Sequence, residues 1–319
     1  MTQTFPIFQL AEFENAEPAI RQKMADELDR TCRETGFLAV GDHGVSQTVI
    51  DGIWSEVSAF FAQPAQVKQH ARAPYAGYPY GYLGPGAEAL AASRGQVTPP
   101  DLKESFNGGP PETPKDEADP QALAFCYADT TWPPDRPQFR AAWLAYYAEM
   151  ERLAARIMAA FAAALNLPDK FFAPFIDAPI SALRALNYPA QAQVPQAGQL
   201  RAGAHSDYGS LTILLPQQGS RGLEILTPLG EWQAVAPVSG AFIVNIGDLM
   251  ARWTNDRWVS TLHRVVNDGA ETARQSLAFF HQPNWHAEIT CLIDDAVAKY
   301  PPVKSGPYLM DKFKATAKA

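Results

Sequence analysis

SALRALNY (181–188), GSLTILL (209–215), GLEIL (222–226), EWQAV (231–235), AFIVNI (241–246), VSTLHRVVN (259–267) and SLAFFHQP (276–283) follow one another in the second half of the chain. Each is a short run of aliphatic, β-branched or aromatic residues bounded by Gly, Pro, Asn or Asp. Short strands at such close spacing fold as an antiparallel sandwich or barrel, because a half-apolar strand needs a second sheet to cover it. No repeat of fixed period and no alternation of strand with helix is present, which excludes solenoids and parallel β/α folds. A mainly β core is expected.

Upstream the pattern changes. PIFQL (6–10) reads as a short strand and residues 17–34 as an amphipathic helix, which Gly36 stops before a buried strand, FLAV (37–40). A second helix is expected from Ser46, an N-cap residue type, to Ala62, with Pro64 beyond it. FRAAWLAYYAEMERLAARIMAAFAAAL (139–165) places apolar residues three or four apart in an Ala- and Leu-rich run, so a long helix begins near Pro137 and ends before Pro168. Residues 75–120 are rich in Gly, Pro and acidic side chains and lack periodicity, the composition of a functional loop or lid. The plan that results is one domain, 1–319. A helical N-terminal part and loop (1–175) buttress a jelly-roll core (176–319).

Composition narrows the partners. With 47% hydrophobic and 11% aromatic residues in 319, the chain has ample material for a buried core. Its net charge of -8 and pI near 5.3, with no basic run, argue against nucleic acid. No apolar run approaches the ~18 residues needed to span a bilayer. MTQTFPIFQLAEFENAE, at the N-terminus, lacks the basic start, apolar stretch and small-residue cleavage site of a secretory signal. Cys32, Cys126 and Cys291 are far apart with no C-x-x-C pair, as expected of reduced thiols in a cytoplasmic protein.

In AHSDYGSLTILL (204–215), His205 and Asp207 are two residues apart at the start of a strand, a spacing that sends both side chains to one face. An imidazole and a carboxylate so placed can hold one divalent metal. His263 lies far enough downstream for the intervening strands to wind around a jelly roll and return a third ligand. Two imidazoles and one carboxylate on a single face of Fe(II) leave three positions open for O2 and an organic chelate. Structural zinc sites are four-coordinate and closed, commonly with sulfur ligands, and no Cys is near these three residues. Arg274 and Ser276, again two apart, offer a planar guanidinium fork and a hydroxyl from one face, a pairing suited to a carboxylate.

On these segments the chain resembles the isopenicillin N synthase-like group of 2-oxoglutarate/Fe(II)-dependent dioxygenases. GFLAVGDHGV (36–45) is similar to the group's N-terminal strand-turn signature, and PDLKESFNGG (100–109) to the segment near its substrate pocket. AHSDYGSLTILL is similar to the segment carrying its first two metal ligands and NIGDLMARWTNDRWVSTLHRV (245–265) to the one leading into the third; RQSLAFFHQP (274–283) carries its R-x-S. The resemblance implies a double-stranded β-helix (jelly-roll) core with Fe(II) on His205, Asp207 and His263. It implies 2-oxoglutarate as co-substrate, its far carboxylate on Arg274 and Ser276, and Tyr188 as the tyrosine that assists there. The implied reaction is hydroxylation of a C–H bond of a small-molecule metabolite by O2, releasing succinate and CO2; desaturation or ring closure are alternative outcomes. Asp207 speaks against a halogenase, in which that ligand position is vacated for a halide. This chain has Leu186 and Asn187 where plant members often carry Asn and Tyr.

Phe106, in the long loop, and His281, just after the R-x-S, are the candidate substrate contacts; Lys103 and Glu104 share the loop with Phe106. His43 is expected to shape a turn, His70 and His286 to be ordinary surface or core histidines, Arg201 to be solvated, and Trp253 and Trp258 to pack in a hairpin. Two other functions use the same residues. One is an Fe(II) oxidase needing no 2-oxoglutarate, of the isopenicillin N synthase or cyclopropane-carboxylate oxidase type, with Arg274 and Ser276 on the substrate's own carboxylate. The other is a non-catalytic jelly-roll binder, against which an intact triad beside an intact anchor argues. The expected protein is a monomer or weak homo-oligomer that meets only O2 and small molecules.

Overall fold

The computed structural model describes residues 5–91, 95, 98–190, 195–267, 272–293 and 297–317. Its helices are α1 (Leu10–Asn15), α2 (Pro18–Glu34), α3 (Gln47–Phe61), α4 (Ala65–Lys68), α5 (Pro120–Ala124), α6 (Pro137–Ala164), α7 (Asp248–Trp253) and α8 (Ser305–Ala317). Its main strands are β1 (Ile7–Gln9), β2 (Phe37–Gly41), β3 (Gly81–Leu83), β4 (Glu104–Gly108), β5 (Ala182–Tyr188), β6 (Ala202–His205) and β7 (Leu211–Pro216). They continue with β8 (Leu223–Leu226), β9 (Trp232–Ala234), β10 (Phe242–Ile246), β11 (His263–Val265) and β12 (Arg274–His281). Among the described residues no helix is long and apolar enough to cross a membrane.

From β5 to β12 the chain passes back and forth between two facing sheets. The large sheet has the order β1-β2-β10-β7-β12-β5-β4-β3 and the small one β6-β11-β8-β9. This is the double-stranded β-helix expected from the strand spacing. Period-two alternation sorts the side chains of the large sheet. Leu183, Ala185, Leu277 and Phe279 face outward onto helices, whereas Leu186, Tyr188 and Ala278 enter the space between the sheets, with Ala202, Ile225 and Val265 opposite. Helices α3 and α6 cover the outer face with Ile53, Val57, Phe60, Trp143, Met150 and Ile157. Each such fully buried side chain contributes about 1.5–3 kcal/mol relative to exposure. Pro137 starts α6, where its missing N–H costs no hydrogen bond, and Asn166 closes it in a left-handed conformation (φ 59°).

Three expectations need correction. Ser46 occupies the N-cap of α3 but makes no side-chain capping bond. Trp253 and Trp258 belong to α7 and the turn after it, not to a hairpin; both are buried, against Phe172 and Phe161. The 75–120 stretch is not all loop: β3 and β4 lie within it and extend the large sheet beyond β5, so strands from both sides of residue 175 share that sheet. Residues 92–94, 96 and 97 of that stretch lie outside the described residues. β4 escaped notice because every residue of ESFNG is buried, polar ones included, so hydrophobicity does not alternate along it.

What holds β4 in place is a polar knot on its helix face. Glu104 receives two bonds from Lys68 Nζ (2.7 and 2.9 Å), one from the Tyr82 hydroxyl, and one from Asn187 Nδ2 (2.7 Å). Removing the cation would leave a buried carboxylate without its counter-charge, which costs about 3–5 kcal/mol. Lys68→Met is therefore expected to lower stability by about that amount in denaturant unfolding, with much of the loss recovered in the Lys68→Met/Glu104→Gln double variant.

Candidate active site

β6 and β11 pair with His205 opposite His263 and Ala202 opposite Val265, one more residue on β6 than on β11. That bulge lets Ala202 and His205 both turn inward, and bulges serve this re-aiming beside functional sites. The two imidazoles sit 4.3 Å apart. The Nδ1–H of His205 donates to Gly203 O (2.8 Å) and that of His263 to Thr261 O (3.2 Å), so each ring shows its Nε2 to Asp207. Those nitrogens lie 4.0 and 3.8 Å from Asp207 Oδ1, beyond hydrogen-bonding range. One donor atom from each of the three residues falls within 4.8 Å of the other two.

Asp207 is not on a strand with His205, as its spacing suggested; it lies in the connection where the chain leaves the small sheet for β7 of the large one. Gly209 permits that crossing, since a Cβ there would collide with His281 O. Asp207 Oδ2 accepts from Thr212 Oγ1 (2.6 Å) and Asn245 Nδ2 (2.8 Å), leaving Oδ1 for the shared centre. Burial alone would push this carboxyl up, but His263, His205 and the two hydrogen bonds outweigh it and hold its pKa below the ordinary value. Burial, reinforced by His263, takes His205 down to about 3. Near neutral pH the centre therefore offers an anionic carboxylate and a neutral His205 imidazole, the protonation states a divalent metal requires. The donor set fits Fe(II).

The third ligand is placed from a distance. Helix α2 ends beside the segment leading into β11: Val259 N donates to Cys32 O (3.0 Å) and Thr261 Oγ1 to Thr35 O (2.7 Å), while Thr261 O accepts the hydrogen bond from His263 Nδ1. Asp29 on α2 accepts from Trp258 Nε1 (2.9 Å) and Arg257 Nε (3.0 Å). Gly36 must be glycine here, with φ 62° and Val259 O occupying the place any Cβ would take. Thr212, Asn245 and Asp29 were missed by sequence reasoning. The first two carried a signal, as polar residues inside the apolar strands LTILL and FIVNI. Thr212→Val should leave the fold intact and weaken Fe(II) binding roughly 10–100-fold, the usual cost of losing a group that orients a ligand; equilibrium dialysis with metal analysis checks it.

The expected anchor pair, Arg274 and Ser276, lies at the start of β12 in the large sheet. Arg274 stands opposite Tyr188 in register, its guanidinium carbon 4.9 Å from the Tyr188 ring centre, and Ser276 follows on the same inner face. Arg274 is 4% exposed, and its Nε and Nη1 have no partner among the described residues. A buried guanidinium with unpaired donors is costly and calls for an anion. It also borders a cleft of about 360 Å³ that Arg201, Ser220 and Arg221 help to line.

Other candidates sit elsewhere. Phe106 is 0% exposed on the helix face of β4, between Phe60, Phe139 and Trp143, so it is core and lies across the sheet from the triad. His281 is an odd number of residues from Ser276 and so faces the opposite side of β12; it is buried with Nδ1 2.7 Å from Ser210 Oγ. Asn187 also points to the helix face, toward Glu104. Arg201 is buried, not solvated, and donates to Thr272 O (2.6 Å). Lys103 is buried on Asp101. His43 shapes its turn, accepting from Val45 N, while His70 and His286 are exposed.

Comparison with known proteins bears on this geometry. Residues 179–283 match the family model of the 2OG-Fe(II) oxygenase superfamily, and residues 5–135 that of the "non-haem dioxygenase in morphine synthesis N-terminal" region. The 2-oxoglutarate-Fe(II) type oxidoreductase hxnY of Emericella nidulans is 31% identical over 308 residues, covering 93% of this chain and 86% of its own length. The chain belongs to the 2OG-Fe(II) oxygenase superfamily. Within that superfamily, the validamycin A dioxygenase of Streptomyces hygroscopicus subsp. limoneus is 31% identical over 297 residues, 92% of this chain and 80% of its own. A full-length Neurospora crassa protein, crystallised in complex with alpha-KG and thymine, superposes with a TM-score of 0.83 at 26% identity, over 99% of this chain and 97% of that one. This 2OG-Fe(II) oxygenase is a 2-oxoglutarate/Fe(II)-dependent dioxygenase, with Fe(II) and 2-oxoglutarate as its cofactors.

Proposed function

We propose that this dioxygenase hydroxylates a C–H bond of a small organic molecule, holding Fe(II) on His205, Asp207 and His263 and the far carboxylate of 2-oxoglutarate on Arg274, Ser276 and Tyr188. The observation that carries the reading is an inward-facing His–Asp–His centre, with both histidines on the small sheet, across from a buried guanidinium on the inner wall of the large sheet whose Nε and Nη1 have no partner among the described residues. Relatives named for small molecules support the substrate class: validamycin A dioxygenase, and the homoarginine-6-hydroxylase of Oryza sativa subsp. japonica, 31% identical over 294 residues.

With both bound, the metal and 2-oxoglutarate supply O2 activation, coupling decarboxylation of 2-oxoglutarate to oxidation of a substrate C–H bond. The protein contributes placement. Thr212 and Asn245 occupy Asp207 Oδ2, so that Oδ1 would be free for the metal, and the carbonyls of Gly203 and Thr261 fix both imidazole tautomers. Arg274 would hold the far carboxylate of 2-oxoglutarate through charge-assisted bonds. The apolar lining from Leu186, Ile225 and Ala278 limits water around the reacting groups.

A substrate screen that follows succinate release, O2 uptake and product mass together tests this proposal. The expected result is one succinate per O2 and a product one oxygen atom heavier. O2 uptake without succinate would instead support the oxidase that needs no 2-oxoglutarate.

A further inference from the structure

The inner face of β4 carries Lys103 just before it, then Ser105 and Asn107, and it continues the wall on which the anchor lies. Ser105 stands opposite Leu186, which stands opposite Ser276; Asn107 stands opposite Arg184, which stands opposite Ala278. Ser105 is thus two strand spacings, about 10 Å, from Ser276 on the same side of the sheet. Asn107 lies further along, toward the row in which Phe280 pairs with Thr212, the residue that holds Asp207. The start of β4 is tied to the strand carrying His205, for Gly203 N donates to Asp101 Oδ1 (3.0 Å) and Leu102 N to Leu200 O (3.0 Å).

The charges beside Ser105 and Asn107 satisfy one another. Lys103 Nζ is 2.7 Å from Asp101 and 3.4 Å from Glu88, and Arg184 Nη1 is 3.1 Å from Glu88. Two cations and two anions leave no net charge for a ligand. What remains is neutral and unsatisfied. Ser105 is 1% exposed and Asn107 3% exposed; among the described residues neither the Ser105 hydroxyl nor the carbonyl oxygen or NH2 of Asn107 has a partner. A buried carboxamide with both ends unmet is destabilising and rare in folded proteins. Unlike the knot around Glu104 on the other face, this pair contributes nothing visible to the fold.

We propose that Asn107, with Ser105 beside it, recognises the substrate, and that the substrate is an uncharged molecule presenting an N–H next to a C=O: an amide, lactam or ureide edge. A carboxylate would meet the Asn107 NH2 but repel its carbonyl oxygen, and an ammonium would do the reverse. An amide edge satisfies both at once, in the paired geometry carboxamides form with each other. This inference rests on the dioxygenase reading above, since it assigns the pocket wall next to that centre.

The test is a binding measurement, so it does not depend on turnover. Protein loaded with Zn(II) in place of Fe(II), plus 2-oxoglutarate, is titrated by calorimetry with 2-piperidone and benzamide. The controls are N-methyl-2-piperidone, N,N-dimethylbenzamide and benzoate. The two N–H probes should bind at least about tenfold tighter than the controls, and Asn107→Leu should erase that preference while 2-oxoglutarate binds as before. Asn107→Leu should also raise the melting temperature by about 2 °C or more, because it removes an unmet polar group without opening a cavity. Should the leucine variant fold poorly, the smaller, β-branched Asn107→Val suits a strand and likewise lacks both ends of the carboxamide, and it should also erase the preference for the N–H probes. Benzoate binding as well as benzamide, a preference unchanged in the variants, or no probe binding at all would overturn the assignment. Failure of 2-oxoglutarate to bind would fault the earlier reading instead.

Discussion

Asp207→Ala is expected to hold no stoichiometric Fe(II) and to lose at least about a hundredfold in 2-oxoglutarate-dependent turnover, more than the roughly 10–100-fold that loss of an orienting neighbour costs. Three effects act together. The carboxylate is the one anionic donor of the centre, and without it two imidazoles face a dication alone. The donors of Thr212 and Asn245 are left without their shared acceptor in a buried place. The group that both imidazole Nε2 atoms face, at 4.0 and 3.8 Å, also disappears. Metal analysis after dialysis, alongside succinate release, separates loss of iron from loss of fold, which circular dichroism monitors. His205→Ala should behave similarly.

The second large effect is expected at the anchor. Arg274→Ala removes a guanidinium poised to make two charge-assisted bonds to a carboxylate, each worth about 1.5–3 kcal/mol. Together these predict a 2-oxoglutarate requirement raised roughly a hundredfold to ten-thousandfold. Fe(II) binding should be unaffected, because Arg274 starts β12, whereas Thr212, which holds Asp207, pairs with Phe280 near its far end. Removing a buried cation whose Nε and Nη1 are unpaired should leave ligand-free stability unchanged or higher. An unaltered 2-oxoglutarate requirement in a steady-state titration would remove Arg274 from the anchor.

Much of this site was legible because its residues lie on short strands whose alternation can be counted. Arg274 and Ser276 share a face for that reason, and the same counting, applied to His281, would have sent it to the other side. His205 and Asp207 were joined for the wrong local reason. They converge through a bulge in β6 and a crossing at Gly209, neither of which shows in a two-residue spacing. β4 could not be read at all from hydrophobicity, because it hides polar residues on both faces: Glu104 satisfied on one, Asn107 unsatisfied on the other. The dependence of His263 on Asp29 and Thr35 joins residues more than two hundred positions apart, and only the packed structure brings them together.

Crystals soaked anaerobically with Fe(II), with diffraction recorded at the iron absorption edge, test the account most directly. A single anomalous peak is predicted, bonded at about 2.0–2.2 Å to His205 Nε2, Asp207 Oδ1 and His263 Nε2. A peak bound elsewhere, or none among these three residues, would contradict it.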